Sequence, residues 1–122
     1  MVNAAINPLT ALLRLPNGEL LARPSAHRLM KMIAQETANV AAAIEVSLPY
    51  SDPVEVVESI AQRTASNKSS MLKDVLRGSP TEIDAINGAI VTIGDRVNIP
   101  VQLNRALWLL IKAILNAPIP QG

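Results

Sequence analysis

Prolines and glycines divide this chain into stretches whose apolar residues recur every three or four positions, and sustained period-two alternation is absent. A chain of that pattern buries its apolar surface by packing helix against helix. The clearest stretch is 26–45, where Ala26, Leu29, Met30, Ile33, Ala34, Thr37, Val40, Ala41 and Ile44 share one helical face. His27, Arg28, Lys31, Gln35 and Glu36 fall around the outside, and Pro24-Ser25 supplies the start.

The remaining stretches obey the same logic. Asp52-Pro53-Val54-Glu55 opens a second helix with an acid at the cap, a proline in the first turn and a glutamate three residues on. Its inner stripe is Val54, Val57, Ile60, Ala61 and Thr64. The small polar run 65–70 reads as an irregular link, a short helix covers Met71 to Arg77, and Gly78 stops it. Ser79-Pro80-Thr81-Glu82 repeats the start signal for a helix carrying Ile83, Ile86, Ile90 and Ile93. The last helix, from about Val101 to Leu115, is apolar nearly all round, which predicts a central or covered position. At the front, Leu9 to Leu15 reads as helix extending back over residues 1–8, with a kink or irregular turn at Pro8. Residues 15–19 read as a turn. The expectation is an all-α fold of about six or seven helices forming one domain over residues 1–122.

Composition narrows the function. The chain has 122 residues, enough for one core, and no cysteine, which removes disulfides, thiolate metal sites and cysteine nucleophiles. A single histidine removes a histidine-rich metal centre, so no metal is expected. A net charge of +1, with one Trp, one Tyr and no Phe, argues against a nucleic-acid partner. No apolar run reaches the ~18 residues of a membrane span, and no signal peptide is visible at the N-terminus. These features lead to the expectation of a cytoplasmic protein with no membrane partner.

Several residues carry candidate chemistry beside an ordinary structural role. Ser70-Met71-Leu72-Lys73 has the spacing of serine acyl-enzymes but lacks their companion motifs, so it carries little weight. His27 reads as a surface histidine. Asn3 and Asn7 stand one helical turn apart, with Asn17 in the turn beyond; amides aimed at one spot could hold a polar ligand, while capping and turn formation is their more ordinary account. Ser69 and Ser70 precede a helix, where anions bind readily, and a capping serine also belongs there. Glu82 reads as a capping-box glutamate, or as a carboxylate at the edge of a buried face that could fix a ligand hydroxyl or a lysine.

Taken together, four blocks resemble the C-terminal domain of ketopantoate reductase. They are Asn3-Ala4-Ala5-Ile6-Asn7-Pro8-Leu9-Thr10-Ala11-Leu12, Pro16-Asn17-Gly18-Glu19-Leu20, the run from Thr64 to Asp74, and Thr81-Glu82-Ile83-Asp84-Ala85-Ile86-Asn87-Gly88. Their order and spacing match over essentially the whole chain. The resemblance implies the helical C-terminal domain of the 6-phosphogluconate dehydrogenase C-terminal-like type. It also implies an NADPH-dependent reduction of ketopantoate to pantoate in a cleft shared with a Rossmann domain. On that resemblance, Asn3, Asn7 and Asn17 would contact the substrate or support residues that do. Ser70, with Asn67 and Ser69, would hold the substrate carboxylate. Glu82 would stand near the cofactor, the substrate and the family's lysine.

That general-acid lysine lies four residues before the asparagine matching Asn3, and would therefore precede Met1. No strand followed by G-x-G-x-x-G is present either. The expectation is a substrate-binding half with no catalytic residue of its own, binding no NADPH alone and inactive until a Rossmann domain is supplied in cis or in trans. An uncovered apolar face predicts a homo-oligomer. A non-catalytic helical interaction module descended from such a reductase is the competing expectation.

Overall fold

The computed structural model describes residues 2–48 and 52–115, and among them every regular element is helical. The elements are α1 (Val2–Leu13), α2 (Glu19–Ala22), α3 (Pro24–Ala43), α4 (Pro53–Arg63), α5 (Ser70–Arg77), a π-helical segment (Asp84–Gly88), α6 (Ala89–Val97) and α7 (Gln102–Leu115). The helix boundaries reflect local chemistry. Asp52 caps α4 by accepting the N–H groups of Val54 (3.0 Å) and Glu55 (3.3 Å). Gly78, at φ +68°, takes the left-handed conformation that closes α5.

The centre of the molecule is α1. Every residue from Ala4 to Ala11 is buried. The helix packs against α3, α5, α7 and α4. Its small side chains Ala4 and Ala5 allow close approach, while Ile6 and Leu9 join Met30, Ile33, Val57 and Leu107 in the main core. A second cluster, Ala11, Met71, Ile83 and Ile111, lies between α1, α5 and α7; a third gathers Val40, Val91 and Val101.

Several sequence-based expectations are corrected. Pro8 sits inside an unbroken α1 and produces no irregular turn. Proline leaves the carbonyl of Ala4 without its intrahelical donor. The Asn87 side-chain amide supplies one at 3.2 Å, so the helix continues. The last helix is neither central nor covered by the described residues: α7 buries Asn104, Leu107 and Ile111 but leaves Leu109, Leu110 and Ile114 exposed. Glu36 is not on the outer face. Its carboxylate receives the N–H groups of Leu103 (3.1 Å) and Asn104 (2.8 Å), capping α7 from another helix. The stretch after Ser79-Pro80 starts its helical bonding later than expected, because Thr81 Oγ1, not a Glu82 capping box, accepts the Ile83 N–H at 3.3 Å. His27, read as a surface histidine, is half-buried, and its Nε2 meets Glu58 Oε2 at 2.5 Å. The short α2 replaces the end of the turn expected over 15–19.

Candidate functional site

Three sequence-predicted residues meet at one open cavity of about 340 Å³: Asn7 from α1, Ser70 from the start of α5, and Glu82 from the segment leading into the π-helix. Met71 and Ile86 give it an apolar wall, with Pro80 at its edge. Asn7 is buried while Ser70 and Glu82 are exposed. The side chains of all three make no hydrogen bond to another described residue. They are therefore available to a ligand. Asp74 also lines the cavity and pairs with Arg77 at 2.9 Å.

The lining thus carries two carboxylates and no cation. An anionic ligand entering it gains hydrogen bonds from the Asn7 amide and the Ser70 hydroxyl. The backbone N–H groups of Ser70 and Met71 have no intrahelical acceptor, since they lie ahead of the first intrahelical bond of α5, from Lys73 N–H to the Ser69 carbonyl.

Other predicted residues stand apart from this cavity. Asn3 is exposed on α1, one turn before Asn7, and does not line it. Ser69 is buried, and its hydroxyl caps α5 by accepting the Leu72 N–H at 3.0 Å. That hydroxyl also lies 2.6 Å from Thr10 Oγ1, so it is spent on the protein itself. Asn17 is buried and gives its side-chain amide to Thr64 Oγ1 at 2.9 Å; its side-chain oxygen has no partner among the described residues. Asn67 is exposed, and its carbonyl accepts the Asn17 N–H at 3.0 Å.

Asn17 and Asn67 therefore build the approach to the site. A parallel bond runs from the Gly18 N–H to the Ala65 carbonyl at 3.0 Å, stitching the 16–18 turn to the link before α5. Glycine is required at 18 by proximity, because a Cβ there would lie 2.5 Å from the Ala65 Cβ and 2.8 Å from its Cα.

Sequence reasoning overlooked Asp74, Met71, Pro80 and Ile86 as lining residues. A signal existed for two of them: Asp74 stands four residues after Ser70, and Ile86 four after Glu82, the spacing of neighbours on one helical face. It also overlooked a buried polar network behind the site. Asn87 Nδ2 reaches both the Ala4 carbonyl and Asn104 Oδ1 (3.0 Å), and Asn104 Nδ2 reaches Glu36 Oε1 at 2.8 Å.

Fold and site together define an all-helical domain, among the described residues, that carries an open polar cavity. The comparisons specify the family. A family model described as ketopantoate reductase PanE/ApbA C terminal matches residues 1–115, and the chain belongs to that family. It is 48% identical to a 2-dehydropantoate 2-reductase of Pyrobaculum aerophilum over 112 residues, which are 92% of this chain and 40% of that protein. The corresponding enzyme of Archaeoglobus fulgidus is 40% identical over 93% of this chain and 38% of its own length. Among solved structures, the ketopantoate reductase of Ralstonia eutropha superposes with a TM-score of 0.88 at 36% identity, covering 94% of this chain and 38% of that one. A D-mandelate dehydrogenase in complex with NADH and anilino(oxo)acetate superposes with a TM-score of 0.87 at 28% identity, over 95% of this chain and 49% of that one. The chain thus spans about two fifths of the length of the reductases it matches. No described helix is long and apolar enough to cross a membrane.

Proposed function

We propose that this chain is the substrate-holding part of a nicotinamide-dependent 2-oxo acid reductase, with ketopantoate as substrate and NADPH as hydride donor. The observation that carries it is the convergence of Asn7, Ser70 and Glu82 on one cavity from three separate segments. Three polar groups of different chemistry, none paired with another described residue, have no packing purpose there. That weighs against a non-catalytic helical module. The neighbouring proteins point to the same chemical class, since ketopantoate and mandelate are both oxo or hydroxy acids at the carbon next to a carboxylate.

In this reading the Ser70 hydroxyl and the first N–H groups of α5 receive the substrate carboxylate. The Asn7 amide orients the substrate and Met71 with Ile86 takes its alkyl part. Asn3, Asn17, Asn67 and Ser69 support the segments that present these groups. Glu82 faces the nicotinamide side and holds a hydroxyl or an ammonium group brought by the completing surface. NADPH, when bound to a Rossmann domain, supplies the hydride; that domain also supplies the cation the cavity lacks. A polar site held in place before the reaction is what hydride transfer to a carbonyl needs.

The 122-residue chain by itself is expected to show no NADPH-dependent reduction of ketopantoate. Mixed with a ketopantoate reductase Rossmann domain ending just after its lysine, it is expected to restore NADPH oxidation. Activity of the chain alone, or an inert mixture in which the two parts demonstrably associate, would contradict the proposal. Homo-oligomerisation belongs to the same proposal. It is supported by the exposed leucines of α7 and by a dimeric ketopantoate reductase of Staphylococcus aureus among the similar structures, 25% identical with a TM-score of 0.81.

A further inference from the structure

Thr10 is fully buried in the middle of α1, and its hydroxyl lies on a chain of hydrogen bonds that joins two of the segments lining the cavity, α1 and α5. Proton accounting gives the chain a direction. Thr10 Oγ1 donates its single proton to the Asn7 carbonyl at 2.8 Å. The 2.6 Å contact between Thr10 Oγ1 and Ser69 Oγ must then take its proton from Ser69. Ser69 Oγ in turn accepts the Leu72 N–H at 3.0 Å. The relay runs Leu72 N–H, Ser69, Thr10, Asn7 carbonyl, with every hydroxyl proton used once. One end is the first turn of α5, which begins at Ser70, and the other is the backbone of Asn7.

An apolar pair would hold α1 against α5 equally well, since Ala11, Met71 and Ile83 already pack nearby. Apolar packing tolerates sliding, whereas a short buried hydrogen bond fixes both separation and rotation. A buried hydroxyl pair also costs desolvation that a hydrocarbon pair would not. What it adds is a set distance between the two groups that face the ligand.

We propose that Thr10 is a positioning residue: through Ser69 it fixes the spacing of the Asn7 amide and the Ser70 hydroxyl to match a 2-oxo carboxylate. This rests on the substrate assignment given above, and the test separates the two. Isotope-labelled chain is titrated with ketopantoate while NMR tracks the Asn7 side-chain amide and the Ser70 backbone amide. The unaltered chain is expected to show saturating shifts at both, with a Kd on the order of 1–10 mM in the absence of a completing surface. Thr10→Val keeps shape and removes the hydroxyl, and is expected to weaken binding about 10-fold, ~1.4 kcal/mol. Thr10→Ser restores the relay and is expected to bind within about threefold of the unaltered chain. Ser69→Ala breaks the same link from α5, and serves where Thr10→Val fails to fold.

A merely structural role would lower the melting temperature and leave the Kd of the folded chain unchanged. Folded Thr10→Val or Ser69→Ala chains that bind as tightly as the original overturn the positioning role and leave the site intact. Absence of shifts at Asn7 and Ser70 in the unaltered chain, up to roughly 50 mM ketopantoate, overturns the substrate assignment and the positioning role with it.

Discussion

Asp84 accepts the Trp108 indole N–H at 2.7 Å and the Lys112 ammonium at 3.1 Å. The indole hydrogen bond does most to hold its carboxyl below the ordinary value of 3.8, and the Lys112 bond and charge add to it. A carboxyl depressed by folding contributes stability above its unfolded pKa and loses it as pH falls through the folded one. The loss from Asp84 therefore falls below pH 3.8. Trp108 is the sole tryptophan, so its fluorescence reports this titration directly. An acid transition in emission is expected in the unaltered chain and is expected to vanish in Asp84→Asn; persistence in that variant would assign it elsewhere. Asn87 is the other telling residue. Asn87→Ala leaves the Ala4 carbonyl and Asn104 Oδ1 without a donor, a loss of about 2 kcal/mol. Urea unfolding at constant m-value checks it.

At the scale of elements, the helices here complete one another's ends. The α7 N-terminus is capped by Glu36 of α3, and the proline gap in α1 is filled from the π-helical segment. Inserting one residue into a helical turn, as a π segment does, rotates the residues after it relative to those before it. That rotation accompanies the burial of Asn87, while Glu82 ahead of it stays at the cavity. The 16–18 turn behaves similarly, being part of α5's approach as much as of α2. Gly18→Ala forces its Cβ into the Ala65 backbone. The expected cost is about 1–3 kcal/mol. The Ser70 amide resonance is expected to shift as the 65–67 link moves, which NMR of the folded variant measures; an unmoved Ser70 would show that the turn and the site are independent.

For the whole molecule, the polar cavity is accompanied by an apolar groove of about 380 Å³ between α1, α3 and α7, lined by Leu9, Leu12, Leu29, Leu107 and Leu110. Leu13 lines it too and is 47% exposed, and Leu109 of α7 is 57% exposed. Contiguous apolar surface of this kind lowers its free energy by association. Sedimentation is expected to show concentration-dependent self-association, weakened in Leu110→Glu. A monomer at all concentrations would remove the homo-oligomer from the proposal.

Legibility differed by residue. The faces of α3 and α4 were readable because a 3.6-residue period marks a buried side without reference to any other segment. Ser69 as a cap and Gly78 as a stop were readable because helix ends are satisfied locally. Pro8, Glu36 and Asn87 were misjudged or missed because their partners are tens of residues away, and a donor or acceptor in sequence carries no mark of who will meet it. For the site, family resemblance pointed to Asn7, Ser70 and Glu82 along with Asn3, Asn17, Asn67 and Ser69, which do not line the cavity, whereas local patterns favoured capping and turn roles for them. The amino-acid order alone marked most of the helical segments and the buried faces of α3 and α4, since both depend on neighbours three and four residues apart. Tertiary packing alone decided that α1 is the central helix, that Ser69 is spent on Thr10 while Ser70 is free, and that three unpaired polar groups share one cavity. Those outcomes depend on which buried faces meet and at what rotation, and that is settled only when all the helices close on a common core.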